Sequence, residues 1–182
     1  PSDVEVIEGN DTVDTINSSS KLRILLTKDV RCTVDRCIRL DSNQTLAGTI
    51  VIDGVTVSNS VKPKILASIP FTRKSGTASC GTVDALIEAN GGTFPADEYD
   101  PRPNCIETSV IVLADDTTVE GIEITSPDDV TDEANTYFIA IFARADREPS
   151  SGENVLDGNI KIKDVTINRS NGKPIYIKYT FP

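Results

Sequence analysis

The sequence predicts an all-β fold: a parallel β-helix of about four to five coils, with long insertions and an N-terminal capping helix. Three observations carry this. IRLDSNQTLAG at 38–48 returns as IVLADDTTVEG at 111–121, identical at Ile38/Ile111, Leu40/Leu113, Thr45/Thr118 and Gly48/Gly121. A shorter pattern (apolar, polar, Gly or Asp, apolar, polar, apolar, small polar) occurs as IDGVTVS from Ile52, VEGIEIT from Val119 and IKDVTIN from Ile162. Most other apolar stretches are short, rich in Ile, Val and Thr, and end at Asn, Gly, Ser or Asp, as strands do.

DTVDTINSS, near the N-terminus, has the helical period of a short cap, assigned to residues 1–20. The predicted strands that follow are LRILLT (22–27), CIRL (37–40), TIVIDGVTVS (49–58), PKILASI (63–69) and SVIVL (109–113). After them come TVEGIEIT (118–125), YFIAIFA (137–143), NIKIKDVTIN (159–168) and PIYIKYTF (174–181). An alternating strand offers one apolar face and cannot bury it alone, so repeated units stack like residue over like. One coil is expected to point Ile38, Leu40, Leu46, Ile52, Val55 and Val57 inward. A second contributes Ile111, Leu113, Val119, Ile122 and Ile124, and a third Ile160, Ile162, Val165 and Ile167. Gly48, Gly54 and Gly121 suit tight bends. A β-sandwich also has short strands, but it needs no self-match at matched register.

Three stretches interrupt the pattern: residues 67–104, 126–136 and 144–155. The first holds TVDALIEANGG, with Thr82 as N-cap and Gly91 past the end, and reads as a large insertion containing a short helix. The whole of 1–182 reads as one domain.

Composition narrows the function. A net charge of −10 argues against nucleic acid and anionic membrane surfaces as partners. No apolar run reaches the roughly 20 residues of a membrane-spanning helix, so no membrane insertion is expected. The absence of histidine excludes imidazole catalysis and HExxH zinc sites. Cys32, Cys37, Cys80 and Cys105 lack CxxC spacing. Two disulfides, most simply Cys32–Cys37 and Cys80–Cys105, fit an exported protein, and buried free thiols are the alternative. A chain that opens at Pro1 without methionine reads as one whose initiator has been removed, by leader cleavage or as a piece of a longer protein.

IRL followed by SNQTLAG resembles an early coil of the right-handed parallel β-helix proteins of the pectin lyase-like superfamily. TTVEGIEIT and KDVTINRSNGKPIYI resemble later coils, and LRILLTKDVRCTV resembles the strand–turn–strand before the first. The resemblance implies a right-handed coil and a polysaccharide or cell-surface glycan as partner, many relatives acting on acidic glycans. Two chemistries come with it. Hydrolysis uses clustered carboxylates as acid and base, and Asp115–Asp116 is the candidate pair. Elimination uses calcium held by carboxylates and an Arg or Lys base; Glu120 and Glu123 are the candidate ligands, with Lys163 or Arg144 as the base. Asp128 and Asp129, with Asp132 and Glu133, form a further acidic cluster for calcium.

Each candidate has a plainer reading. Asp115 and Asp116 align with Ser42 and Asn43, ordinary turn residues. Alternating Glu and Lys on a strand also make a solvated ladder. The nine Tyr and Phe residues mark no glycan platform, and tryptophan is absent. No complete catalytic set assembles, which leans against an enzyme. The expected protein is an extracellular, secreted or surface-exposed module that binds or processes polysaccharide. The alternative is a non-catalytic structural or adhesive β-helix from a spike, stalk or surface protein, with homo-oligomers in view.

Overall fold

A computed structural model describes residues 3–8, 12–58, 61–69, 108–129, 138–144, 158–168 and 174–178. In chain order these form β1 (Val4–Ile7), α1 (Thr12–Ser18), β2 (Arg23–Leu26), β3 (Val30–Cys32), β4 (Ile38–Arg39) and β5 (Thr45–Ala47). Next come β6 (Thr49–Ile52), β7 (Val55–Ser58), β8 (Lys64–Ala67), β9 (Ser109–Val112) and β10 (Thr118–Glu120). The last are β11 (Glu123–Thr125), β12 (Ile139–Arg144), β13 (Lys161–Lys163), β14 (Thr166–Asn168) and β15 (Ile175–Lys178). The fold is all-β apart from α1, the one helix among the described residues.

Three sheets are parallel throughout. Sheet A runs β1-β2-β5-β10-β13, sheet B runs β14-β11-β8-β3, and sheet C runs β15-β12-β9-β4. From β2 onward the chain visits A, B and C in that order and then returns to A. Like residues therefore stack. Sheet A carries the inward ladder Ile24–Leu46–Val119–Ile162, sheet B carries Val30–Ile65–Ile124–Ile167, and sheet C carries Ile38–Ile111–Ile141–Ile175. All but the last rungs are buried in one cluster, each full burial of such a side chain contributing about 1.5–3 kcal/mol.

The two copies of the eleven-residue motif lie directly on one another. Ile38 pairs with Ile111, Thr45 with Thr118 and Leu46 with Val119, while the Gly48 N–H donates to the Glu120 carbonyl at 3.0 Å. The turns between the strands stack as well: Asn43 (φ 69°) and Asp116 (φ 56°) share a left-handed conformation, and the Asn43 N–H donates to the Asp115 carbonyl.

TIVIDGVTVS departs from the expectation. It is an antiparallel hairpin, β6 with β7, inserted between β5 and β8. Val55 and Val57 are exposed rather than inward. Asp53 (φ 50°) and Gly54 (φ 79°) are consecutive left-handed residues, the geometry that closes a two-residue hairpin. In VEGIEIT a single left-handed residue, Gly121 (φ 65°), instead bends the chain from sheet A into sheet B, and Asp164 (φ 49°) does the same in IKDVTIN. The counterpart of EIT at 123–125 is thus KIL at 64–66. The hairpin folds back on the outer face of sheet A, where Ile50 packs on Leu25 and Ala47 and the Arg23 Nη1 donates to the Val51 carbonyl at 2.8 Å.

At the N-terminal end, β1 adds a strand to sheet A, and α1 packs on β3 and β4 with Ile16 fully buried. Seven residues are too few for a helix to stand alone in water; burial of Ile16 and Val13 holds this one in place. The Cys32–Cys37 disulfide is formed, joining β3 to the start of β4. Cys80, Cys105 and the helix expected over TVDALIEANGG lie outside the described residues.

Candidate functional site

The outer face of sheet B carries an open concave surface. Register sets its floor: Thr166, Glu123 and Lys64 lie side by side, as do Asn168, Thr125 and Leu66. With Ser126 and Asp128 at the strand ends, these residues line an open groove of about 410 Å³, within the range of small-molecule sites. The Asn168 Nδ2 donates to the Glu123 Oε1 at 3.2 Å, which orients both. Beyond the groove, Arg31 and Asp129 approach at 3.9 Å, an exposed pair that contributes little to stability.

A second hollow, of about 340 Å³, adjoins the first at Lys64, which lines both. Lys28, Lys62 and Lys64 gather there around Asp29, whose Oδ1 accepts the Lys64 backbone N–H at 2.8 Å. Lys62 also spans the sheets' edge: its Nζ donates to the Asp164 Oδ1 at 2.6 Å and to the Thr166 Oγ1 at 3.3 Å. The face is mixed in charge: Lys28 and Lys62 precede the strands, Lys64 and Glu123 lie side by side at their start, and Asp128 follows β11. Ammonium, amide, hydroxyl and carboxylate together match the donors and acceptors of sugar hydroxyls.

The residues singled out by sequence are dispersed. Asp115 and Asp116 occupy the turn before β10 and hold the chain ahead of β13: Asp115 Oδ1 accepts from the Gly158 N–H at 3.1 Å, and Asp116 Oδ1 from the Asn159 N–H at 2.9 Å. Gly158 sits so close to Asp116 that an added Cβ would meet the Asp116 nitrogen at 2.8 Å. Glu120 and Lys163 face outward on sheet A, 3.8 Å apart, whereas Glu123 faces outward on sheet B. Glu123 and Asp128 line one groove, but Glu120 lies on sheet A, and among the described residues no group of three or more potential metal ligands forms. No step through calcium is derived from them. Arg144 ends β12, with its side chain outside the described residues, as are Asp132 and Glu133.

On sheet C, Val112, Phe142 and Tyr176 form an outward row. The Phe142 and Tyr176 rings pack at a tilt, with centroids 5.9 Å apart and planes at 41°. Among the described residues no helix is long and apolar enough to cross a membrane.

Sequence reasoning missed Lys64, Thr125, Ser126 and Asn168. The signal that would have found them is the alignment of KIL with EIT and TIN, which the hairpin's look-alike IDGVTVS obscured. The chain matches no protein family model, no curated protein and no solved structure.

Proposed function

We propose that this chain is a right-handed parallel β-helix module, acting outside the cell, that binds polysaccharide along the outer face of sheet B. The repeated order of strands through three parallel sheets supports the helical reading, and parallel crossovers are right-handed in nearly all sheets. The Cys32–Cys37 disulfide favours an oxidising compartment. The carrying observation is the polar groove of about 410 Å³ that continues, through Lys64, into the lysine-lined hollow. A glycan laid across it would set anionic groups near Lys28 and Lys64 and neutral hydroxyls against Asn168, Glu123 and Thr125. The reading is of binding, which the mixed polar lining of the groove supports.

The test is a panel of acidic and neutral polysaccharides, with and without calcium, scored for binding, unsaturated products and new reducing ends. Binding without either product is expected. Lys64→Ala and Asn168→Ala should each weaken it about three- to tenfold, the value of one lost hydrogen bond. Failure to bind any glycan, or binding indifferent to both substitutions, overturns the proposal.

A further inference from the structure

The sequence holds four N-x-[ST] sequons, at Asn10, Asn17, Asn43 and Asn168. Asn10 lies outside the described residues. At Asn17 the amide bridges the edge of β4, with Nδ2 donating to the Cys37 carbonyl and Oδ1 accepting the Arg39 N–H. At Asn168 the Nδ2 donates to Glu123 inside the groove of sheet B. Asn43 differs. It is exposed in the turn between β4 and β5, and its side-chain amide makes no hydrogen bond among the described residues. The turn around it is fixed. Gln44, the next residue, is 3% exposed; its Nε2 donates to the Ser19 and Lys21 carbonyls, and its Oε1 accepts the Asp41 N–H at 2.8 Å. The Asn43 N–H donates to the Asp115 carbonyl and the Thr45 N–H to the Leu22 carbonyl. A φ of 69° accounts for an asparagine in the backbone of this turn, but gives its side chain no task. The stacked counterpart shows the contrast: Asp116 shares the left-handed backbone, yet its Oδ1 accepts the Asn159 N–H at 2.9 Å.

We infer that Asn43 is an acceptor site for N-linked glycosylation, its carbohydrate projecting from the turn. This rests on the extracellular reading above and not on polysaccharide binding. In the transfer, the Asn43 Nδ2 attacks C1 of an oligosaccharide carried on a lipid pyrophosphate. The new N–C1 bond replaces the C1–O bond, the lipid pyrophosphate leaves with the bonding electron pair, and Nδ2 gives up one proton. Thr45 supplies the hydroxyl that the third sequon position requires. The attached sugar is bulky and hydrated, so its asparagine must stand at the surface of the folded chain. Asn43 meets that condition without losing a side-chain hydrogen bond. A sugar at Asn168 would instead fill the groove, and one at Asn17 would crowd the nitrogen that donates to Cys37. The Asn43 turn joins sheet C to sheet A and lines no part of the groove on sheet B, so its sugar leaves that face open.

The test expresses the full chain behind a secretory leader in cultured eukaryotic cells. Peptides of the secreted protein are mapped by mass spectrometry before and after enzymatic release of N-glycans, which converts an occupied asparagine to aspartate. Asn43 should be occupied in most molecules, with Asn17 and Asn168 bare. Two variants should each abolish the Asn43 glycan and still secrete with the Cys32–Cys37 disulfide formed. Asn43→Gly suits the left-handed turn but has no amide. Thr45→Val keeps Asn43 and a β-branched strand residue but lacks the hydroxyl. A bare Asn43 in protein whose Cys32–Cys37 disulfide is formed overturns the inference, as does a glycan on Asn168 in its place or one that persists at Asn43 in Thr45→Val. Protein retained in the cells is scored in the same way. Because the leader forces export, these results count against the site alone; the extracellular reading falls separately, if fractionation finds the natural protein in the cytosol.

Discussion

A parallel strand at a sheet edge leaves alternate N–H and C=O groups without a partner. On β4 one side chain takes both: the Asn17 Nδ2 donates to the Cys37 carbonyl and its Oδ1 accepts the Arg39 N–H, each at 2.8 Å. Asn17→Ala should cost about 1–3 kcal/mol in a urea titration. Asn17→Asp should cost less, since the Arg39 N–H keeps its acceptor. Asn17 also lies in an N-x-[ST] sequon, yet its amide is committed, so peptide mass spectrometry of folded material should find it unmodified. Gly48 is another position where one atom decides. A Cβ there would collide with the Gly121 carbonyl and meet the Pro63 ring at 2.7 Å, so Gly48→Ala should lower stability by about 1–3 kcal/mol. At Asp3 the Arg23 hydrogen bond holds the carboxyl below its ordinary pKa. Its contribution is complete above the unfolded-state pKa and disappears as pH falls through the lowered value; Asp3→Asn should flatten that acid limb of the stability curve. At this scale the alignment of Asp115 and Asp116 with Ser42 and Asn43 points to a turn, and both residues lie in one. It could not show that Lys64 and Asn168 line one groove, which depends on the register of β8, β11 and β14, strands about a hundred residues apart in the chain.

Among the elements, the hairpin β6–β7 teaches most about what a repeat conceals. Asp-Gly between two alternating apolar runs is a strong hairpin signal, but the same letters fit the bend between sheets A and B, and only the second left-handed residue separates them. Ile50 anchors the hairpin, being buried on Leu25 and Ala47, whereas Val55 is 64% exposed. Ile50→Ala should therefore cost about 2–4 kcal/mol in thermal or chemical denaturation, and Val55→Thr should stay within about 0.5 kcal/mol of the parent. The short helix was legible from its period and its place, although its stability comes from Ile16 and Asn17 rather than from intrinsic propensity. The Cys32–Cys37 bridge, with a sequence separation of 5, closes a small loop. Chain-entropy arguments give its removal by Cys32→Ala/Cys37→Ala a cost of about 2 kcal/mol, to be read from the shift in the denaturation midpoint.

For the molecule as a whole, stacking like residue on like was written in the sequence twice over, in the eleven-residue match and in the recurring apolar–polar alternation. The three ladders Ile24–Ile162, Val30–Ile167 and Ile38–Ile175 are its physical consequence. The face proposed for binding was less legible because outward residues are constrained by no core and vary from round to round: Lys64, Glu123 and Thr166 share a row without sharing chemistry. The most direct measurement is a backbone-amide NMR titration with an oligosaccharide drawn from the strongest binder of the panel. The account predicts saturable shifts at Lys64, Glu123, Thr125 and Asn168, fading in Lys64→Ala. Shifts confined to the Phe142–Tyr176 face of sheet C, or no saturable shifts at all, would contradict it.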